Sequence, residues 1–350
     1  MARRFSLLSL AAVALFATLG VTRPALAQNG PLPPMTEQQK QAAFDEAFAL
    51  GLEAIREQKY ARGVRLFSVC IRLYPERPTA YYNLACIHSL QNDVDASLKS
   101  LRQALEKGFN GFEHVERDGD LDNVRQDPRF KTLIAEFRKK LLAGAGDRAT
   151  LVGATDRAGA PLVVWLHGSG DTAESWKARW DKAGKSAGVV VMLVESTTKN
   201  SRRSWDGSTE TVVVELVRKT LETGRFDRSR VIMAGYSEGA IVAQEIALHH
   251  SELFRGLVSF NGAWDPELGR FLDDAKARKF RAFLTTGRRD PLLEKAREGR
   301  DALAETGIPT ILKRFRGGHR MPAAPGSIFI QGLKWVLEGK APKARKPRVF

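Results

Sequence analysis

Two hydrophobic patterns divide the chain. From Gln41 to Leu105, apolar residues recur at helical spacing. Beyond residue 147 the pattern changes to short continuous apolar runs: Leu162–Leu166, Val189–Val194, Arg230–Ala234, Leu257–Phe260, Ala282–Thr285 and Thr310–Phe315. A run with no polar alternation fits a strand buried on both faces. Amphipathic stretches fall between the runs, among them Thr209–Glu222, Ala240–His249 and Leu292–Thr306. Alternating strands and helices predict an α/β domain over 147–338, with a mostly parallel sheet covered by helices on both faces. Thr150–Ala154 is a candidate for one further strand.

The helical stretch repeats itself at an offset of 34 residues. Leu50-Gly51 aligns with Leu84-Ala85, Tyr60 with Val94, Gly63 with Ser97, Phe67 with Leu101, and Cys70 with Ala104; Pro75 closes the first unit. Small residues recur where paired helices approach closely, and bulky ones where they interlock. The stretch resembles tetratricopeptide repeats, which share this period. It departs from them in carrying Ala47 and Tyr81 where the first helix usually has Trp. The expected all-α domain spans 41–142. Two repeats are fewer than the roughly three such stacks need, so the stretch from Gly111 to Lys140 is expected to cap it. Asp127-Pro128 reads as a helix start, and Phe130, Leu133, Ile134 and Phe137 as its apolar face. The domain serves either as packing support or as a groove for a protein or peptide partner. Cys70 and Cys86 fall on adjacent predicted helices, as buried thiols or as a bridge.

The N-terminus reads as an export signal over 1–27. Arg3-Arg4 precede an apolar run from Phe5 to Leu19, and Ala25-Leu26-Ala27 offers small residues for cleavage before Gln28. The run is shorter than the ~20 apolar residues a membrane span needs. A Pro/Gly linker over 28–40 follows. The expected mature protein is periplasmic or secreted, with no transmembrane segment.

Composition narrows the classes further. With 43% hydrophobic and 27% charged residues, the chain is not wholly disordered, and two Cys exclude a four-thiolate zinc site. Of the formal net charge of +15, three Arg lie in the leader and five Lys or Arg in the basic tail over 339–350. About +7 remains for the body. The tail has no interleaved aromatics or recognition motif, so no nucleic-acid partner is expected.

The chemistry-bearing segment is Gly235-Tyr-Ser237-Glu-Gly239, placed after a predicted strand and before a predicted helix. A nucleophilic serine on a sharp turn has crowded neighbours, and glycines two residues either side let strand and helix approach. The hydroxyl then stands at a helix N-terminus, with the next backbone N–H facing a developing oxyanion. Candidate partners follow in sequence. Asp290 lies just after one predicted strand, in Thr285-Thr-Gly-Arg-Arg-Asp290-Pro, and His319 just after the last, in Phe315-Arg-Gly-Gly-His319. Strand ends of a parallel sheet share one edge, so these residues can converge. Ser237 is then the nucleophile, His319 the base and Asp290 the acid that orients it, and hydrolysis by this set should fall in acid as His319 gains a proton. Ser169, in the loop His167-Gly-Ser-Gly-Asp-Thr172, and Glu238 are the candidate backbone oxyanion donors. His167 is read as a structural part of that loop. Trp176 and Trp205 are candidates for the substrate pocket, with buried core the equal alternative for Trp205. The residues suggest no metal cluster and no cofactor.

Together, His167-Gly-Ser-Gly-Asp-Thr-Ala-Glu-Ser-Trp176, Gly-Tyr-Ser-Glu-Gly-Ala240, Gly-Arg-Arg-Asp-Pro291 and Gly-Gly-His319 resemble the α/β-hydrolase superfamily, nearest its phospholipase/carboxylesterase group. The resemblance covers roughly residues 150–338. It implies a cofactor-free serine esterase acting on a small ester through an acyl-enzyme. Glu238 and Ala240 stand where the group commonly has Gln and Gly, which bears on substrate choice. Two alternatives remain at this point: a prolyl-oligopeptidase-like serine peptidase, and a non-catalytic interaction protein with an inert hydrolase fold.

Overall fold

A computed structural model of the chain describes residues 34–198 and 203–342. The predicted leader and most of the basic tail lie outside these residues. The chain forms two compact units, Met1–Lys140 and Leu141–Phe350.

The described part of the first unit is all helical. Its elements are α1 (Glu37–Arg56), α2 (Tyr60–Leu73), α3 (Pro78–Leu90), α4 (Val94–Glu106), α5 (Phe112–Arg117), α6 (Asp122–Arg125) and α7 (Pro128–Leu142). Local signals set the helix starts. Thr36 and Gln39 form a reciprocal capping box on α1, Asp93 accepts from the Ala96 N–H at the start of α4, and Pro occupies the first turn of α3. The 34-residue register corresponds to repeated close approaches. Gly51 of α1 lies against the Phe67 ring of α2, where a Cβ would come within 2.7 Å of it. One repeat later, Ser97 of α4 donates to the carbonyl of the equivalent Ala85 in α3 at 2.8 Å. Cys70 packs in the core with Phe44, Phe67, Leu73 and Ile87. Cys70 and Cys86 are free thiols, both buried.

The second unit is a seven-stranded sheet with helices. Its strands are β1 (Ala149–Gly153), β2 (Ala160–Leu166), β3 (Val190–Val194), β4 (Phe226–Tyr236), β5 (Gly256–Phe260), β6 (Arg281–Gly287) and β7 (Thr310–Phe315). Their order is β1-β3-β2-β4-β5-β6-β7. Every neighbouring pair is parallel except β1–β3, which is antiparallel at one edge. Burial follows the sequence pattern: β2, β3 and β5 are buried at every residue, whereas the edge strand β1 buries only its last two. This is the α/β-hydrolase architecture the sequence predicts, with its first strands reduced to β1. The helices are α8 (Ala173–Ala187), α9 (Thr209–Glu222), α10 (Glu238–His249), α11 (Leu272–Ala277), α12 (Leu293–Glu305) and α13 (Pro325–Glu338).

Two hydrophobic clusters cover the two faces of the sheet. Alternate residues of one strand divide between them: Leu162, Val164 and Leu166 of β2 join one, Val163 and Trp165 the other. In the second, Trp165 meets Trp180 at a ring separation of 4.5 Å, and Trp180 meets Phe329 of α13 at 4.4 Å. Truncating an aromatic so buried to Ala costs about 3–5 kcal/mol. No described helix is long and apolar enough to cross a membrane.

Candidate active site

Because β2, β4, β5, β6 and β7 run parallel and side by side, the loops after them open at one sheet edge. His167 follows β2, Ser237 follows β4, Asn261 follows β5, Asp290 comes shortly after β6 and His319 shortly after β7. A parallel sheet presents its ligand-binding crevice at such carboxyl ends.

Ser237 occupies the turn between β4 and α10, with φ 55° and ψ −124°. A non-glycine residue in this region is strained and must be held by its surroundings. The Ser237 N–H donates to the Phe260 carbonyl at 2.9 Å, which anchors the turn on β5. The glycines on either side serve close approach. A Cβ on Gly235 would run into the backbone of Gly239, and a Cβ on Gly239 into the carbonyls of Leu166 and His167.

The structure brings together the three side chains that the sequence singles out. Ser237 Oγ lies 2.7 Å from His319 Nε2. His319 Nδ1 lies 3.1 Å from each carboxylate oxygen of Asp290. A carboxylate only accepts, so the Nδ1 facing it carries the hydrogen and Nε2 is left to accept from the Ser237 hydroxyl. The Asp290 side chain is fully buried, while that of His319 remains 31% exposed. This contrast suits an orienting acid sealed from water behind a base that a substrate can reach.

Other groups fix Asp290. Its Oδ1 accepts from the Leu292 N–H at 2.8 Å, and its Oδ2 from the Asn261 side-chain amide. The two loops are also laced together: the Arg288 N–H donates to the Phe315 carbonyl and the Arg289 N–H to the Gly317 carbonyl, both at 2.9 Å. Sequence reasoning missed Asn261. It is fully buried, at φ 56°. The available signal was Asn-Gly directly after an apolar strand, since Asn tolerates the left-handed region better than most residues.

Ser169 is exposed in the loop after β2, and its hydroxyl donates to the Glu238 carboxylate. That bond ties the loop to the first residue of α10. His167 is fully buried and donates from Nδ1 to the Gly168 carbonyl at 2.9 Å. Trp205 is buried in the core, where its Nε1 donates to the His167 carbonyl at 2.9 Å. Trp176 is also buried in the core and meets the ring of Tyr236, 5.8 Å away between centroids. Tyr236 in turn stacks on His319 at 5.9 Å. Burial pushes the Tyr236 phenol above its ordinary range, and the Asp171 and Asp290 carboxylates push the same way. Tyr236 therefore presents a neutral hydroxyl and a flat face to the imidazole.

Comparison with known proteins finds a family match within this domain and several relatives of the chain. Residues 191–303 match the Phospholipase/Carboxylesterase family model, a span that holds Ser237 and Asp290 and ends before His319. A chloroplastic protein of Arabidopsis thaliana is 27% identical over 111 residues, 31% of this chain and 33% of that protein. The putative esterase NocK of Nocardia uniformis subsp. tsuyamanensis is 30% identical over 118 residues, 30% of this chain and 33% of that protein. The putative hydrolase MhqD of Bacillus subtilis (strain 168) is 28% identical over 126 residues, 35% of this chain and 60% of that protein. The chain thus spans about a third of the length of the first two relatives.

Proposed function

Since the chain carries a hydrolase domain of the phospholipase/carboxylesterase family, we propose that it is an exported serine hydrolase that cleaves small carboxylic esters through an acyl-enzyme. One observation carries this reading: the Ser237 hydroxyl 2.7 Å from His319 Nε2, with His319 Nδ1 against buried Asp290.

Ser237 Oγ attacks the ester carbonyl carbon as its proton passes to His319 Nε2. The backbone N–H groups of Glu238 and Ser169 take the oxyanion of the tetrahedral intermediate. His319 hands the proton to the departing alkoxide, which leaves as the alcohol, and the acyl group stays on Ser237. A water molecule then repeats the sequence, releasing the acid and restoring the serine. Asp290 keeps its charge throughout and steadies the imidazolium.

In the same reading, the leader directs the protein to the periplasm or outside the cell. The helical unit acts as a tetratricopeptide-like module, either supporting the hydrolase or receiving a protein or peptide partner.

A fluorophosphonate probe tests the enzyme directly. Stoichiometric labelling of folded wild-type protein, absent from Ser237→Ala, is expected. Turnover of short p-nitrophenyl esters should exceed that of peptide amides. Folded wild-type protein that labels no better than Ser237→Ala would overturn the proposal, and preferential amide cleavage would redirect it to a peptidase.

A further inference from the structure

Outside the Ser237, His319 and Asp290 set, titratable side chains converge where the first turn of α9 meets the last turn of α10. Glu210 is the second residue of α9. Glu245 and His249 stand four residues apart on α10, so they share one helix face. Glu210, Glu245 and His249 each bring one possible ligand atom to within 4.8 Å of the other two. His250, the next residue, meets the same carboxylate: its Nε2 lies 3.0 Å from the Glu210 Oε1 that also faces His249 Nδ1 at 2.9 Å. Two of the chain's six histidines thus meet at one carboxylate oxygen. Their side chains are almost wholly buried, at 6% and 9% exposure, and that of Glu210 is at 11%.

We propose that this cluster is a binding site for a divalent transition-metal ion of the zinc class, held by Glu210, Glu245 and His249. Two features of the geometry support it. The donor set, one imidazole and two carboxylates, suits zinc-class ions better than magnesium or calcium, which take oxygen alone. The spacing is close to that of a coordination shell. Ligands about 2.0–2.1 Å from a tetrahedral zinc stand roughly 3.3 Å apart. The 2.9 Å separation of His249 Nδ1 and Glu210 Oε1 therefore requires each of the two to retreat by a few tenths of an ångström.

The ring of His249 rests on Phe271 at 4.3 Å, which limits its rotation. Glu245 is exposed, giving the ion a way in.

The experiment is a calorimetric titration of tag-free, chelator-treated protein with zinc chloride, beside a thermal melt with and without the ion. One zinc per chain with micromolar or tighter affinity, and a rise in the melting midpoint, is expected. Glu210→Gln and His249→Gln should each weaken binding by at least about tenfold. If substitution of buried Glu210 unfolds the chain, the exposed Glu245→Gln supplies the same reading. The melt in the absence of zinc confirms folding independently of any ester hydrolysis. No saturable binding below about 100 μM zinc, or binding that survives Glu245→Gln and His249→Gln unchanged, would overturn the site. In the first case the cluster holds a proton, and in the second the zinc sits elsewhere on the surface.

Discussion

The side-chain amide of Asn261 donates to the Asp290 carboxylate that faces His319. Asn261 therefore reaches the nucleophile only through two intermediaries. It also donates to the Gly318 carbonyl at 3.4 Å, so one amide contacts both the acid and the residue before the base. We expect Asn261→Gly, which keeps the positive φ accessible, to lower kcat for a p-nitrophenyl ester by about 10- to 100-fold, by analogy with the loss of outer partners at other sites. KM should change little, because the amide does not touch substrate. Serine labelling by fluorophosphonate should slow in parallel. An unchanged kcat would assign Asn261 to the strand turn alone.

Gly239 sits where the first turn of α10 crosses the end of β2. An added methyl would meet the carbonyl oxygens of Leu166 and His167, which belong to a buried strand and its loop and have no room to retreat. Gly239→Ala should destabilise the domain by about 1–3 kcal/mol in urea unfolding and suppress serine labelling. Gly269, whose Cβ would meet nothing within 4 Å, is the matched control: Gly269→Ala should leave both measurements nearly unchanged. Equal behaviour of the two variants would refute this packing account.

The spacing of residues that had to be special was legible in the sequence; the contacts that hold them were not. Gly235, Ser237 and Gly239 declare the turn because only small residues permit that crossing. The strands β2 and β3 declare themselves because full burial on both faces permits no polar alternation. Helix α8 is harder to read from its residues. In α8, Ala173–Ala187 mixes Trp176 and Trp180 with three lysines and an arginine, and the apolar stripe is narrow. For Asn261 the Asn-Gly turn was legible but its partner was not: the contact with Asp290 depends on the register that sets β5 beside β6, a long-range pairing that no local pattern encodes. The cluster around Glu210 escaped in the same way, since its ligands come from two helices separated by a strand.

The hydroxyl of Ser169 joins the Glu238 carboxylate across the gap between two loops, and the backbone N–H groups of these same residues are the proposed oxyanion donors. Ser169→Ala removes the tie and leaves both N–H groups in place. We expect kcat to fall about three- to tenfold, in keeping with one hydrogen bond worth about 1 kcal/mol. Glu238→Gln retains an acceptor for the Ser169 hydroxyl and should stay closer to wild type. If Glu238→Gln proves the more damaging variant, the carboxylate charge matters rather than the tie.

Burial pushes the Cys70 thiol up to about 12, and moves Cys86 in the same direction beside Asp118. A thiol in the unfolded chain ionises at about 8.5. Between these values the folded chain holds a proton that the unfolded chain has released, so stability contributed by the neutral thiol is complete below pH ~8.5 and declines as pH rises beyond it. Urea unfolding at pH 7.5 and 9.5 should therefore show a larger loss for wild type than for Cys70→Ala at the higher pH. The same protonation keeps the thiolate population negligible at pH 8. Native protein should resist a thiol-reactive disulfide reagent on the time scale that labels both cysteines in urea. Rapid stoichiometric labelling of the folded protein at pH 8 would show that the helical core opens far more readily than its packing implies.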